Sequence, residues 1–171
     1  MKIFGIGLSK TGTKSLMTAT EMLGFRSKHF PREEDFGRFD AFADTSVTVQ
    51  FERLDRLFPG SKFIYTVRAM EPWLESCARH FAKDARTERA RSIRRDLYRT
   101  ILFDERLFRE ASKRHEAAVE AHFAGRGDLL TLDICGGDGW GKLCRFLGGE
   151  RPSAEFPRVR KAPDLGPYCT E

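Results

Sequence analysis

Apolar positions recur along this chain with two periods, and the switch between them marks out its elements. Residues 2–8 form a short apolar run that reads as a buried strand. Leu16, Met17, Thr20 and Leu23 then share one face of a helix over residues 13–23, which Gly24 stops. Residues 25–30 and 40–44 read as short strands, and residues 47–58 as one helix carrying Val47, Phe51, Leu54 and Leu57. After the Pro59-Gly60 turn, residues 62–67 are β-branched and aromatic, as in a buried strand. Glu71-Pro72 opens a helix whose apolar stripe is Trp73, Leu74, Cys77, Ala78 and Phe81, with Ser76 off that stripe. Residues 104–123 form a further helix with Leu107, Phe108, Ala111, Ala118, Val119 and Phe123 facing the core. Residues 129–134 read as the last strand, and a loop at 135–139 leads into a helix bearing Trp140, Leu143, Cys144, Phe146 and Leu147. Strands alternating with helices through short links predict a three-layer α/β/α domain with a mainly parallel sheet. Ligands of such sheets sit at the C-terminal ends of the strands.

One segment breaks the pattern. Residues 83–100 hold seven Lys or Arg, three acids and few apolar positions. They read as a solvated helix, or as a lid or basic wall over a ligand. The 171 residues suit one domain over 1–171, with 83–103 as a lid or insertion and 151–171 as a C-terminal tail.

The net charge of +5 fits an anionic ligand. It does not point to nucleic acid, because no aromatic-interleaved basic stripe accompanies it. Cys77, Cys135, Cys144 and Cys169 lack C-x-x-C spacing and read as reduced thiols. No secretory leader and no run of about 20 apolar residues is seen, so the expectation is a cytoplasmic protein off the membrane, as monomer or homodimer.

The chemistry concentrates at residues 5–15, where a strand runs into a loop of Gly, Ser, Thr and Lys and then into a helix. Free backbone N–H groups and the positive end of a helix converge there on one anion. Gly7 and Gly12 have the spacing of a Walker A loop, but Thr13 stands where that loop has Lys, and Lys14-Ser15 comes one place late. A one-residue shift turns a side chain by about 100° around the helix. The P-loop type of strand–loop–helix is kept, while the cue for magnesium-nucleotide chemistry is weakened.

Lys10-Thr11-Gly12-Thr13 resembles the 5′-phosphosulfate loop of sulfotransferases that use 3′-phosphoadenylyl sulfate. Arg68 closes a strand with Ser76 eight residues later, which resembles that family's 3′-phosphate site. A planar guanidinium and a hydroxyl can grip one phosphate together. Trp73-Leu74-x-Ser76 fits the family, whereas Ala69-Met70 replaces its usual Asp-Pro or Asn-Pro. Trp140, the Leu143-Cys144-x-Phe146-Leu147-Gly148 run and Phe156-Pro157 are similar to the C-terminal half of one subfamily, so the likeness spans residues 2–160.

The resemblance implies a P-loop NTPase-like fold and transfer of a sulfuryl group to a hydroxyl or amine of a small-molecule or glycan acceptor, with no metal. It assigns donor binding to Ser9, Lys10, Thr11, Gly12, Thr13, Lys14, Ser15, Arg68 and Ser76, with Lys10 on the bridging oxygen. It implies a base at the strand end between the two motifs, where Asp44 stands; Asp44 serves equally as a helix N-cap. Asp40 and His29 are further candidates. Arg160-Lys161-Ala162, after Arg158, echoes a late Arg-Lys-Gly segment or is a solvated basic tail. His115 and His122 read as packing residues, and Asp133 as a structural strand-end acid. Two alternatives remain: a P-loop nucleotide or small-molecule kinase, and a catalytically degenerate nucleotide-binding protein.

Overall fold

The computed structural model describes residues 1–159. The predicted Arg160-Lys161-Ala162 echo and Cys169 lie outside the described residues. Five parallel strands, β1 (Ile3–Gly5), β2 (Ser27–His29), β3 (Ala41–Ala43), β4 (Lys62–Thr66) and β5 (Leu129–Leu132), form one sheet in the order β2-β3-β1-β4-β5. The α-helices among the described residues are α1 (Thr13–Met22), α2 (Thr45–Thr48), α3 (Phe51–Leu57), α4 (Met70–His80), α5 (Glu88–Tyr98), α6 (Glu105–His122) and α7 (Trp140–Leu147), and a 3-10 turn spans Glu33–Gly37. The predicted α/β architecture is the observed one.

Side chains alternate across the sheet, as strand geometry requires. Ile3, Ala41, Ala43, Ile64 and Leu132 face α1 and α7, packing on Leu16, Met17, Trp140 and Leu143. Phe4, Phe42 and Phe63 face the other way, toward Val47, Phe51, Leu54, Val119 and Phe123 of α2, α3 and α6. A third cluster lies around the end of β1, where Leu8 meets Trp73, Phe81, Tyr98 and Phe108.

Two expectations need correction. The single helix over 47–58 is broken into α2 and α3, with Gln50 as the N-cap of α3, and Leu57 is 51% exposed rather than core. The break lets α2 point its N-terminus at the sheet end. Residues 83–100 do form a helix, but not a purely solvated one: α5 buries Ile93 and Tyr98, and Tyr98 stacks flat on Phe108 at 4.3 Å and 3°. Its arginines are largely tied down, Arg91 to Asp84 and Glu88, Arg94 to the carbonyls of Lys83 and Ile101.

Gly7, just past β1, is required by space. A Cβ there would lie 2.0 Å from Thr66 Oγ1 and 2.4 Å from the Thr66 carbonyl oxygen. The second is backbone and cannot swing away. Gly7→Ala is expected to destabilise the fold by about 1–3 kcal/mol or more, the usual cost of overpacking; urea denaturation monitored by circular dichroism checks this.

Candidate functional site

The backbone around the loop after β1 is left-handed at two positions. Lys10 has φ 72° and Gly12 φ 104°. Left-handed backbone at a non-glycine residue costs of order 1–3 kcal/mol and persists where surroundings enforce it, most often at functional sites. Here Arg68 Nη1 donates to the Lys10 carbonyl at 3.3 Å, and Trp73 Nε1 donates to the Ser9 carbonyl at 2.8 Å. The α1 helix then starts at Gly12 with no side-chain cap and no acid in its first turn. By contrast, Thr87 caps α5 and Asp104 caps α6. The first-turn N–H groups of α1 have no partner within the helix and carry its positive dipole end.

A cleft of about 820 Å³ opens on this loop. It is lined by Ser9, Lys10, Gly12, Thr13, Lys14 and Ser15, by Arg68 from the loop after β4 and by Ser76 from α4. The sequence-predicted phosphate residues therefore meet, with one exception in how they serve. The Thr11 side chain is buried and turned inward, its Oγ1 donating to the Leu8 carbonyl at 2.7 Å and lying 2.7 Å from Thr66 Oγ1. What Thr11 offers a ligand is its backbone. Ser76 is 8% exposed yet lines the cleft.

The opposite wall holds His29, Phe30, Asp44 and Thr45. Asp44 does two things at once. It is the N-cap of α2, accepting from the Thr45 N–H and from Thr45 Oγ1. Its Oδ2 also lies 3.0 Å from His29 Nε2, and Thr13 Oγ1 of the loop is 3.4 Å from the same nitrogen. Burial opposes ionisation of Asp44, but His29 and the two Thr45 donors outweigh it and hold the carboxyl below the usual range. Asp44 also has φ 105°, a second strained residue in one cleft. Asp40 drops out as a base: it pairs with Arg26, which brings its pKa down to about 2, and it is not in the cleft.

The C-terminal segment comes back over the loop. Trp140 Nε1 donates to the Ala154 carbonyl at 2.8 Å, Trp140 and Phe156 meet edge to face, and the Val159 N–H donates to Ser15 Oγ at 2.9 Å. Arg158 thereby lines the cleft. Arg79, His80 and Arg94 line it too, and no motif marks them in the sequence. Cys77 lies beneath the loop with its thiol pushed up to about 12 by burial, so it packs as a neutral group.

The other candidates are structural. His115 Nε2 contacts the Ile6 carbonyl at 2.7 Å, and His122 Nε2 contacts Asp55 at 2.8 Å. Asp133 accepts from the Gly136 N–H, closing the turn after β5. Among the described residues no His, Cys, Asp and Glu cluster could hold a metal ion, and no helix is long and apolar enough to cross a membrane.

A family model described as a sulfotransferase domain matches residues 2–35 and 28–165. The Ava biosynthesis cluster protein M of Aspergillus versicolor is 29% identical over a match covering 44% of this chain and 41% of that protein. The match thus spans about two fifths of the length of that curated relative.

Proposed function

The chain belongs to the sulfotransferase domain family, and from that premise we propose that it moves a sulfuryl group from 3′-phosphoadenylyl sulfate to a hydroxyl or amine of a small-molecule or glycan acceptor. The observation that carries this reading is the left-handed loop and the helix start without a side-chain cap, gathered with Arg68 and Ser76 around one cationic cleft. Its volume of about 820 Å³ suits a nucleotide with its acceptor. The donor supplies an activated sulfuryl group on a phosphate leaving group. Everything else is positioning and charge neutralisation, as in phosphoryl transfer.

In this reading the amides of residues 11–15 and the side chains of Ser9, Thr13, Lys14 and Ser15 hold the 5′-phosphate. Lys10 neutralises the charge that grows on the bridging oxygen as the sulfur–oxygen bond breaks. Arg68 and Ser76 hold the 3′-phosphate. The acceptor proton passes to the His29–Asp44 pair. Asp44, ionised and satisfied by three donors, is a weak base on its own. With Nε2–H directed at Asp44, His29 keeps Nδ1 as the basic nitrogen, and the carboxylate stabilises the imidazolium that forms.

Thermal-shift titration tests the donor site. We expect 3′,5′-ADP to raise Tm by several degrees with or without magnesium, since ligand at 100 times Kd stabilises by about 2.7 kcal/mol. Stabilisation by magnesium-ATP alone would replace this reading with a P-loop kinase.

A further inference from the structure

We propose that Tyr98 of α5 is a positioning residue for the phosphate loop: its phenol oxygen fixes the Ser9 amide and so sets the pose of Lys10. The proposal rests on the sulfuryl-transfer reading for its consequence, though not for its geometry.

Ser9 is held on both of its backbone polar groups by side chains from two helices. Its N–H donates to Tyr98 Oη at 3.1 Å, and its carbonyl accepts from Trp73 Nε1 at 2.8 Å. The two bonds hold the peptide planes on either side of the Ser9 Cα, and Lys10, left-handed at φ 72°, follows directly. Turning the Ser9 peptide would swing the Lys10 side chain out of line with the cleft. A displacement near 1 Å at a reacting group can cost about 10²-fold in rate.

Tyr98 is built to hold still. It is fully buried, stacked flat on Phe108, and meets Phe81 edge-on at 5.3 Å. Burial raises its pKa far above the working range, so the phenol is a fixed neutral hydrogen-bonding group and moves no proton. The other end of α5 reaches the opposite wall of the cleft. Arg89 bonds the Pro31 carbonyl and lies 4.3 Å over the Phe30 ring, next to His29. One helix thus braces the loop and the proton-accepting wall together, which is why a charge-rich segment is packed here rather than solvated.

Tyr98→Phe keeps the stacked ring and removes only the oxygen. Hydrogen exchange followed residue by residue is expected to show the Ser9 amide exchanging about 10-fold faster or more, with β1 and β4 amides unchanged. Release of 3′,5′-ADP from 3′-phosphoadenylyl sulfate with water as acceptor is expected to lose about 10-fold in kcat, with KM within about twofold. Unchanged exchange at Ser9, or an equal rise throughout the core, would overturn the proposal, as would a KM increase with kcat intact. If the wild type neither binds 3′,5′-ADP nor releases it, the sulfuryl-transfer reading fails, and the Ser9 exchange still decides the positioning role.

Discussion

Lys10→Ala is expected to lower sulfuryl-transfer turnover by about 10²–10³-fold, the usual cost of deleting one preorganised donor to developing charge. Affinity for 3′,5′-ADP should stay within a few fold. The split follows from where binding and catalysis draw their support. In the proposed reading, ground-state binding rests on the amide groups at the start of α1, which has no side-chain cap, and on Arg68 and Ser76. None of these depends on the lysine side chain, and the Arg68 bond to the loop reaches the Lys10 carbonyl, which alanine keeps. Charge on the bridging oxygen exists only once the sulfur–oxygen bond begins to break, so a lysine aimed there lowers the barrier more than it tightens binding. Transfer of radiolabelled sulfate to an accepted hydroxyl compound, beside calorimetry with 3′,5′-ADP, measures both quantities. Turnover equal to the wild type would remove Lys10 from the chemistry.

The parts of this molecule visible in the sequence are those where a residue's role follows from its neighbours in the chain. The Gly7–Gly12 loop, the three buried phenylalanines of β1, β3 and β4, and the Arg68–Ser76 spacing are of that kind, because strand period, loop amides and helix start are local. The missed features depend on contacts distant in sequence. Tyr98 sits in a run of charged residues, and only its stacking on Phe108 and its bond to Ser9 distinguish it from a surface tyrosine. A partial signal existed: Ile93, Leu97 and Tyr98 make a narrow apolar stripe on an otherwise charged helix. The break between α2 and α3 left no Pro or Gly to announce it. Asp44 posed a choice between cap and base; the fold makes it the cap of α2 and sets its second oxygen against His29. Thr11 matched a motif by type while its hydroxyl serves the floor of the loop.

His29→Ala is expected to cost about 10²–10⁴-fold in turnover with donor affinity preserved, the range for loss of a general base. Asp44→Asn should lower turnover too, because the amide cannot stabilise an imidazolium and leaves the His29 tautomer unfixed. It also acts on stability. The Asp44 carboxyl is held below its usual value in the folded chain, so its contribution is complete above the ordinary carboxylate range and is lost as pH falls through the lowered folded value. The stability gap between wild type and Asp44→Asn, about 1–2 kcal/mol from the lost charged partner and weakened cap, should therefore be widest near neutral pH and close in acid. Denaturant midpoints between pH 3 and pH 7 on both proteins read this directly. The activity data separate the two roles. Wild-type turnover in His29→Ala with a large loss in Asp44→Asn returns the proton to the carboxylate alone. Normal activity of Asp44→Asn at every pH takes Asp44 out of the reaction and leaves it as the cap of α2. A larger loss of turnover at His29 than at Asp44 is what a base oriented by a half-buried carboxylate requires.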